Sequence, residues 1–207
     1  MKHPTPRLSP EKRHPAKKAH THSSAALVRK PGLRLQIGEV MASAEPVLLQ
    51  TVLGSCVAVC LYDPVTHIGG MNHILLPGKG SMAPGTRFGE EAMKHLIDRL
   101  GALGADPTML IAKAFGGANV LPCFQPPTIG DQNVRFVLRF LAARGLPLVA
   151  QRLGGNHAVQ LTFSTGTGKA SVRSVDGSRL PAIARAEEAY VSSIKKISPR
   201  VLKSHSV

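Results

Sequence analysis

Residues 56–76 read Cys56-Val57-Ala58-Val59-Cys60-Leu61-Tyr62-Asp63-Pro64-Val65-Thr66-His67-Ile68-Gly69-Gly70-Met71-Asn72-His73-Ile74-Leu75-Leu76. Two apolar runs flank Asp63-Pro64-Val65-Thr66, and the first is β-branched at alternate positions. Apolar runs of this length bounded by turn residues read as strands, with Pro favoured at the second turn position. The stretch is therefore a predicted antiparallel hairpin. With Pro64 and Val65 as its turn, Cys56 lies directly opposite His73. Opposed side chains in such a pair share a face, with Cβ atoms about 4.5–5.5 Å apart.

A thiol beside an imidazole is the arrangement a cysteine nucleophile needs. Free Cys has a pKa of about 8.5 and is mostly protonated at neutral pH, and a neighbouring imidazolium lowers that value. Gly54 and Ser55, just before the thiol, serve the same chemistry. Glycine lets the backbone turn tightly and leaves N–H groups uncovered, as an oxyanion site requires. Quieter readings stand beside this one. A Cys in an apolar strand packs as a small hydrophobe, and a buried His can be a satisfied core residue. A bulge at Gly69-Gly70 would slip the register by one and turn His73 to the other face. Cys60 shares the face of Cys56, so a metal site of Cys56, Cys60 and His73 is a further reading. Against it stand the missing fourth ligand and the absence of C-x₂-C spacing. Cys123, beside Pro122, has no such companion.

Working outward, the upstream chain reads as a strand over 33–37, a loop over 38–46 and a strand over 47–53. Downstream, 79–88 is a Gly, Pro and Ser-rich loop, and 89–103 has the apolar spacing of a helix ended by Gly104. A strand over 109–114 leads into Phe115-Gly116-Gly117. Asp131 is the expected cap of a second helix, with Val134, Val137, Leu138 and Leu141 on one face and Gly145 as its stop. Strands follow over 148–151, 160–164 and 170–175. The sum is an α/β or α+β domain of about seven strands and two or three helices. The early hairpin points to antiparallel or mixed pairing rather than a doubly wound sheet.

The chain has 207 residues and a formal net charge of +14. The ends hold most of that charge. Residues 1–32 carry eight basic side chains against Glu11, with five Pro and four of the nine His. A segment so poor in apolar residues cannot offset its ordering entropy, so it reads as a disordered basic tail. It lacks the apolar region of a secretory signal. Residues 178–207 carry six basic side chains against Glu187 and Glu188, with a helix expected after Pro181. Between them, residues 33–177 are nearly balanced and form the expected domain. An apolar fraction of 43% excludes wholesale disorder. No run approaches about 18 apolar residues, the span of a membrane helix. Three cysteines cannot make a complete disulfide set, so a reducing cytoplasm is the expected compartment. Eight aromatics without Trp weaken a single-strand nucleic-acid module, which needs stacking platforms.

At these residues the sequence resembles the CheD family of chemoreceptor glutamine deamidases. The matching stretches are Leu53-Gly54-Ser55-Cys56-Val57-Ala58-Val59, Gly69-Gly70-Met71-Asn72-His73 with Leu76-Pro77, and Lys113-Ala114-Phe115-Gly116-Gly117-Ala118. Ile129-Gly130 with Asn133-Val134, and Gly154-Gly155-Asn156 with Thr165-Gly166, complete an ordered set covering residues 35–176. The resemblance implies a three-layer α/β/α fold related to deamidating toxins. It also implies a Cys56 nucleophile, a His73 general base and acid, and an assisting Thr. Thr51 lies five residues before the Cys, whereas some members place theirs six before, where this chain has Gln50. His157, after the Gly-Gly-Asn motif, reads as surface variation. The implied reaction converts a glutamine of a methyl-accepting chemotaxis receptor to glutamate through a thioester, with no metal or organic cofactor. A CheC-type phosphatase is a further implied partner. Two rival readings are a non-catalytic adaptor that binds receptors or that phosphatase, and a nucleic-acid binder resting on the +14 alone. The basic tails are expected to favour acidic receptor or membrane surfaces.

Overall fold

The strand Val57–Asp63 is buried at all seven residues, so something must cover it on both faces. The coordinates are a computed structural model that describes residues 32–78, 88–120 and 127–197. Its strands in chain order are β1 (Leu33–Arg34), β2 (Val40–Ser43), β3 (Leu48–Leu53), β4 (Val57–Asp63), β5 (Ile68–Asn72), β6 (Ile111–Gly116), β7 (Leu148–Leu153), β8 (Val159–Ser164) and β9 (Ala170–Ser174). The helices are α1 (Gly89–Ala102), α2 (Ile129–Ala143) and α3 (Leu180–Ile197). The basic tail over 1–31, Cys123 and residues 198–207 lie outside the described residues.

The strands form two sheets, one ordered β2-β5-β4-β6-β7 and the other β1-β3-β8-β9. Pairing is mixed, antiparallel around β4 and β5 and parallel between β6 and β7 and between β1 and β3. Alternation divides β4 between two cores. Val57, Val59 and Leu61 pack with Met93, Leu96 and Leu100 of α1 and Val137 and Leu141 of α2. Cys56, Ala58, Cys60 and Tyr62 face the second sheet, against Leu49, Leu53, Leu161 and Phe163. Such double burial by packed side chains is the main stabilising term. α3 lies on the side of the four-stranded sheet, facing Gln50, Val52 and Gln160 across a cleft. Helices therefore flank the β layer from both sides, and that layer is itself a pair of sheets. The mixed α/β class expected from sequence holds.

The hairpin register differs from the expectation by two residues. Asp63 pairs with Ile68, so the connection is the four residues 64–67 and not Pro64-Val65 alone. His67 closes it with a φ of 59° and an N–H donated to the Asp63 carbonyl at 2.9 Å. The buried Asp63 carboxylate organises the loop, accepting from the Val65, Thr66 and Asp106 N–H groups and the Thr66 hydroxyl. Burial alone would raise its pKa, but these bonds hold it below the usual carboxylate range. Val57 now bridges Ile74, which sets Cys56 against Leu75 and Ala58 against His73. A slip of two preserves facing. Cys56 and His73 remain on one face, as diagonal neighbours and not as an opposed pair.

Other expectations need correction. The expected loop over 38–46 contains β2, which pairs with β5. Gly69 and Gly70 form no bulge, since they pair regularly with Tyr62 and Leu61. They are glycines because a Cβ would lie 2.7 Å from the Thr165 carbonyl and 2.7 Å from the Met41 carbonyl, respectively. Thr128, not Asp131, caps α2, and the two form a reciprocal capping box. Leu138 points outward, while Asn133 and Phe136 are buried in its place.

Candidate active site

Residues 54–56 cross from β3 of one sheet to β4 of the other, and their three carbonyls are all pinned from behind. The Gly54 carbonyl accepts from Ala118 N–H at 2.8 Å and the Cys56 carbonyl from Gly117 N–H at 2.7 Å. The Ser55 carbonyl accepts from Asn133 Nδ2 at 3.0 Å, and the same amide reaches the Leu75 carbonyl at 2.9 Å. With the carbonyls held to one side, the N–H groups of Gly54, Ser55 and Cys56 converge on the other. Close approach dictates the glycines behind them. Gly116 has a φ of 101° and a Cβ there would strike the Cys56 carbonyl, while a Cβ on Gly130 would lie 2.6 Å from the Gly117 carbonyl.

An anion occupies the cradle. Glu187 of α3 accepts from Gly54 N–H at 3.2 Å, Ser55 N–H at 3.2 Å, Cys56 N–H at 3.5 Å and the Ser55 hydroxyl at 2.5 Å. Its carboxylate also takes a hydrogen bond from the Cys56 thiol. The thiol is fully buried. That burial raises its pKa well above the ordinary value, and the Glu187 charge and hydrogen bond raise it further.

His73 stands on the same inter-sheet face, 3% exposed. Its backbone leaves the β4 ladder and pairs instead with Gly38 and Glu39 beside β2. The Asn72 amide oxygen takes the vacated Val59 N–H at 2.9 Å. The ring Nδ1 lies 2.8 Å from Thr51 Oγ1. Thr51 has one hydroxyl proton and donates it to the Leu35 carbonyl at 3.0 Å. Nδ1 must then carry the ring proton, leaving a lone pair on Nε2. Nε2 is buried and makes no hydrogen bond among the described residues. Burial pushes the imidazole pKa down to about 4, against the opposing effect of the Leu35 carbonyl.

The structure thus gathers Cys56, His73, Thr51, Gly54 and Ser55 at one end of the inter-sheet layer. Thr51 faces inward and is buried, whereas Gln50 faces outward and lines the cleft toward α3. That cleft, about 190 Å³, reaches Thr51 and His73 and is bounded by Arg179, Ile183, Ala186 and Glu187. Cys60 is buried in the same layer, and burial raises its thiol pKa. Among the described residues no group of three His, Cys, Asp or Glu side chains could hold a metal ion. His157 is exposed. Sequence reasoning assigned no role to Asn133 or Glu187. Asn133 stood within a quoted motif, and Glu187-Glu188 is the one acidic pair in a basic segment.

Comparison with known proteins supplies a family. The sequence model of a family described as CheD, chemotactic sensory transduction, matches residues 75–174. A probable chemoreceptor glutamine deamidase CheD 1 of Anaeromyxobacter dehalogenans is 42% identical over 140 residues, 67% of this chain and 82% of that protein. The probable chemoreceptor glutamine deamidase CheD of Burkholderia vietnamiensis is 41% identical over 174 residues, 82% of this chain and 70% of that protein. A third relative, from Shewanella oneidensis and likewise described as CheD 1, is 41% identical over 165 residues, 77% of this chain and 80% of its own.

Proposed function

The chain belongs to the CheD family, and from that premise we propose that it deamidates glutamine side chains of chemoreceptors through a Cys56 thioester. The observation that carries this reading is the set of three convergent N–H groups beside the Cys56 thiol, already holding a carboxylate. A glutamine carboxamide placed there presents its carbonyl oxygen to the N–H groups and its carbon to the sulfur. His73 Nε2 takes the thiol proton as sulfur attacks, and the cradle stabilises the oxyanion. The C–N bond then breaks, with the proton passing from His73 to the departing ammonia. Water, deprotonated by the same nitrogen, hydrolyses the thioester to glutamate and restores the thiol. Thr51 holds Nδ1–H and so keeps the lone pair on Nε2. The residues supply a nucleophile, a base and an oxyanion site by themselves. A CheC-type phosphatase as a binding partner rests on the family resemblance alone.

One observation favours the non-catalytic adaptor, namely that the thiol is covered and protonated. The two readings separate by experiment. A glutamine-containing receptor fragment incubated with the full chain should release ammonia and gain the mass of an amide-to-acid conversion. Cys56→Ala should abolish both. Activity that survives Cys56→Ala would sink the nucleophile assignment, and inactivity of the native chain would favour the adaptor.

A further inference from the structure

The cradle beside Cys56 is occupied by the chain itself, and the occupant has the chemistry of a product. Glu187 is a glutamate side chain whose two oxygens contact the N–H groups of Gly54, Ser55 and Cys56. It is presented from an α-helix. Ile183, one turn earlier on the same face, packs with it over Gly54, where a Cβ would lie 2.8 Å from Glu187 Oε1 and 3.2 Å from Ile183 Cγ2. From these contacts we propose that α3 is an intramolecular product analogue, occupying the site in the manner of a substrate helix and holding the enzyme closed. The proposal rests on the deamidase reading and adds to it a mode of substrate presentation and a mode of control.

Three further features agree. The attachment shown by the described side chains of α3 is light, since among them Ala184 is buried while Arg185, Ala186, Glu188 and Ala189 are exposed. A segment held by few apolar contacts opens at low cost. The docked state is chemically idle, because burial, reinforced by the nearby carboxylate, keeps the thiol protonated, and His73 Nε2 is without a partner among the described residues. Opening is also required for turnover on another protein, since Cys56 is 0% exposed with α3 in place. A substrate helix that binds must displace α3, so the apparent affinity falls by the fraction of chain that is open.

A conversion of Glu187 to glutamine turns the analogue into a substrate in cis. In the full-length Glu187→Gln variant the Cys56 sulfur bonds to the side-chain amide carbon of residue 187. The carbon–nitrogen bond breaks, and ammonia leaves with the proton His73 received. Water then cleaves the thioester, returning a carboxylate and a free thiol. Peptide mass spectrometry of purified Glu187→Gln should find residue 187 reverted to glutamate. The double variant Glu187→Gln, Cys56→Ala should retain glutamine. Separately, peptide-resolved alkylation of Cys56 by iodoacetamide should run about tenfold faster in Glu187→Ala than in the native chain, if about a tenth of native molecules are open. The exposed neighbour variant Glu188→Ala should match the native rate. An unchanged alkylation rate in Glu187→Ala overturns the proposal. Persistence of glutamine at 187 while a receptor fragment is deamidated overturns it as well, because α3 would then not sit as substrate does. If neither glutamine is converted but alkylation accelerates, the deamidase reading falls and α3 stands only as a cover.

Discussion

At the scale of single residues, the His73 imidazole and the Cys56 thiol are both neutral while α3 is docked. Burial drives each away from its charged form, lowering one pKa and raising the other. The imidazole shift has a measurable consequence for stability. The unfolded chain binds a proton at this side chain below pH 6.5, but the folded chain does so only near pH 4. Acidification therefore favours the unfolded state across that window, by on the order of 3 kcal/mol in total. Urea unfolding should show a stability loss between pH 6.5 and about 4 that is markedly smaller in His73→Gln. Equal losses in both proteins would mean that the imidazole is not held neutral. Asp63 and Asp131, whose carboxyls are held low, lose their contributions at lower pH and do not mimic the effect. Thr51 shows why this scale was only half legible. Composition cannot choose between Gln50 and Thr51, since strand facing reverses with each residue. In the structure it is Thr51 that faces inward, with its hydroxyl on Nδ1.

At the scale of elements, the proposed oxyanion loop depends on two segments distant in sequence. Gly117 and Ala118, after β6, bind its first and third carbonyls, and Asn133 of α2 binds its second. The capping box of Thr128 and Asp131 fixes the first turn of α2, and Asn133 reaches the loop from just after that turn. Asn133→Ala leaves the Ser55 and Leu75 carbonyls without that donor, at a cost of about 1–3 kcal/mol for each group left unpaired. Freed of its tether, the loop also loses alignment of its N–H groups. The kcat on a receptor fragment should fall by about 10²-fold with little change in KM, as when an oxyanion donor is lost. A variant destabilised to that extent but unchanged in kcat would show that Asn133 supports the fold and not the cradle. Periodicity located α1, α2 and most strands. It missed β2, where Val40-Met41-Ala42-Ser43 is short and only partly buried. It also misjudged the hairpin loop by two residues, because the Asp63 side chain builds a longer turn than Pro64-Val65 alone implies. The shared face of Cys56 and His73 survived only because that error was even.

At the scale of the molecule, the two-sheet layering was beyond the sequence. Nothing local tells that Leu49 and Leu53 of one sheet pack on Cys56 and Cys60 of another. The division of charge was legible, yet it concealed an exception. The C-terminal segment, counted as basic, delivers its most consequential contact through the acidic Glu187. Among the described residues the members of the site lie between Leu35 and Glu187, and the basic residues of 1–31 lie outside that description. Their expected contribution is long-range attraction to an acidic receptor or anionic surface, which raises encounter rates and is screened by salt. Deleting residues 1–32 removes a net charge of +7. Association with receptor-bearing anionic vesicles should then weaken at low salt, and the difference from the full chain should vanish at about 1 M salt, where the Debye length is about 3 Å. Turnover of a soluble receptor fragment at saturation should be unchanged, since the cradle, thiol and imidazole remain. If the deletion lowered saturated kcat instead, the tail would belong to the catalytic unit. Weakening that persisted undiminished at high salt would make its contacts apolar and specific rather than electrostatic.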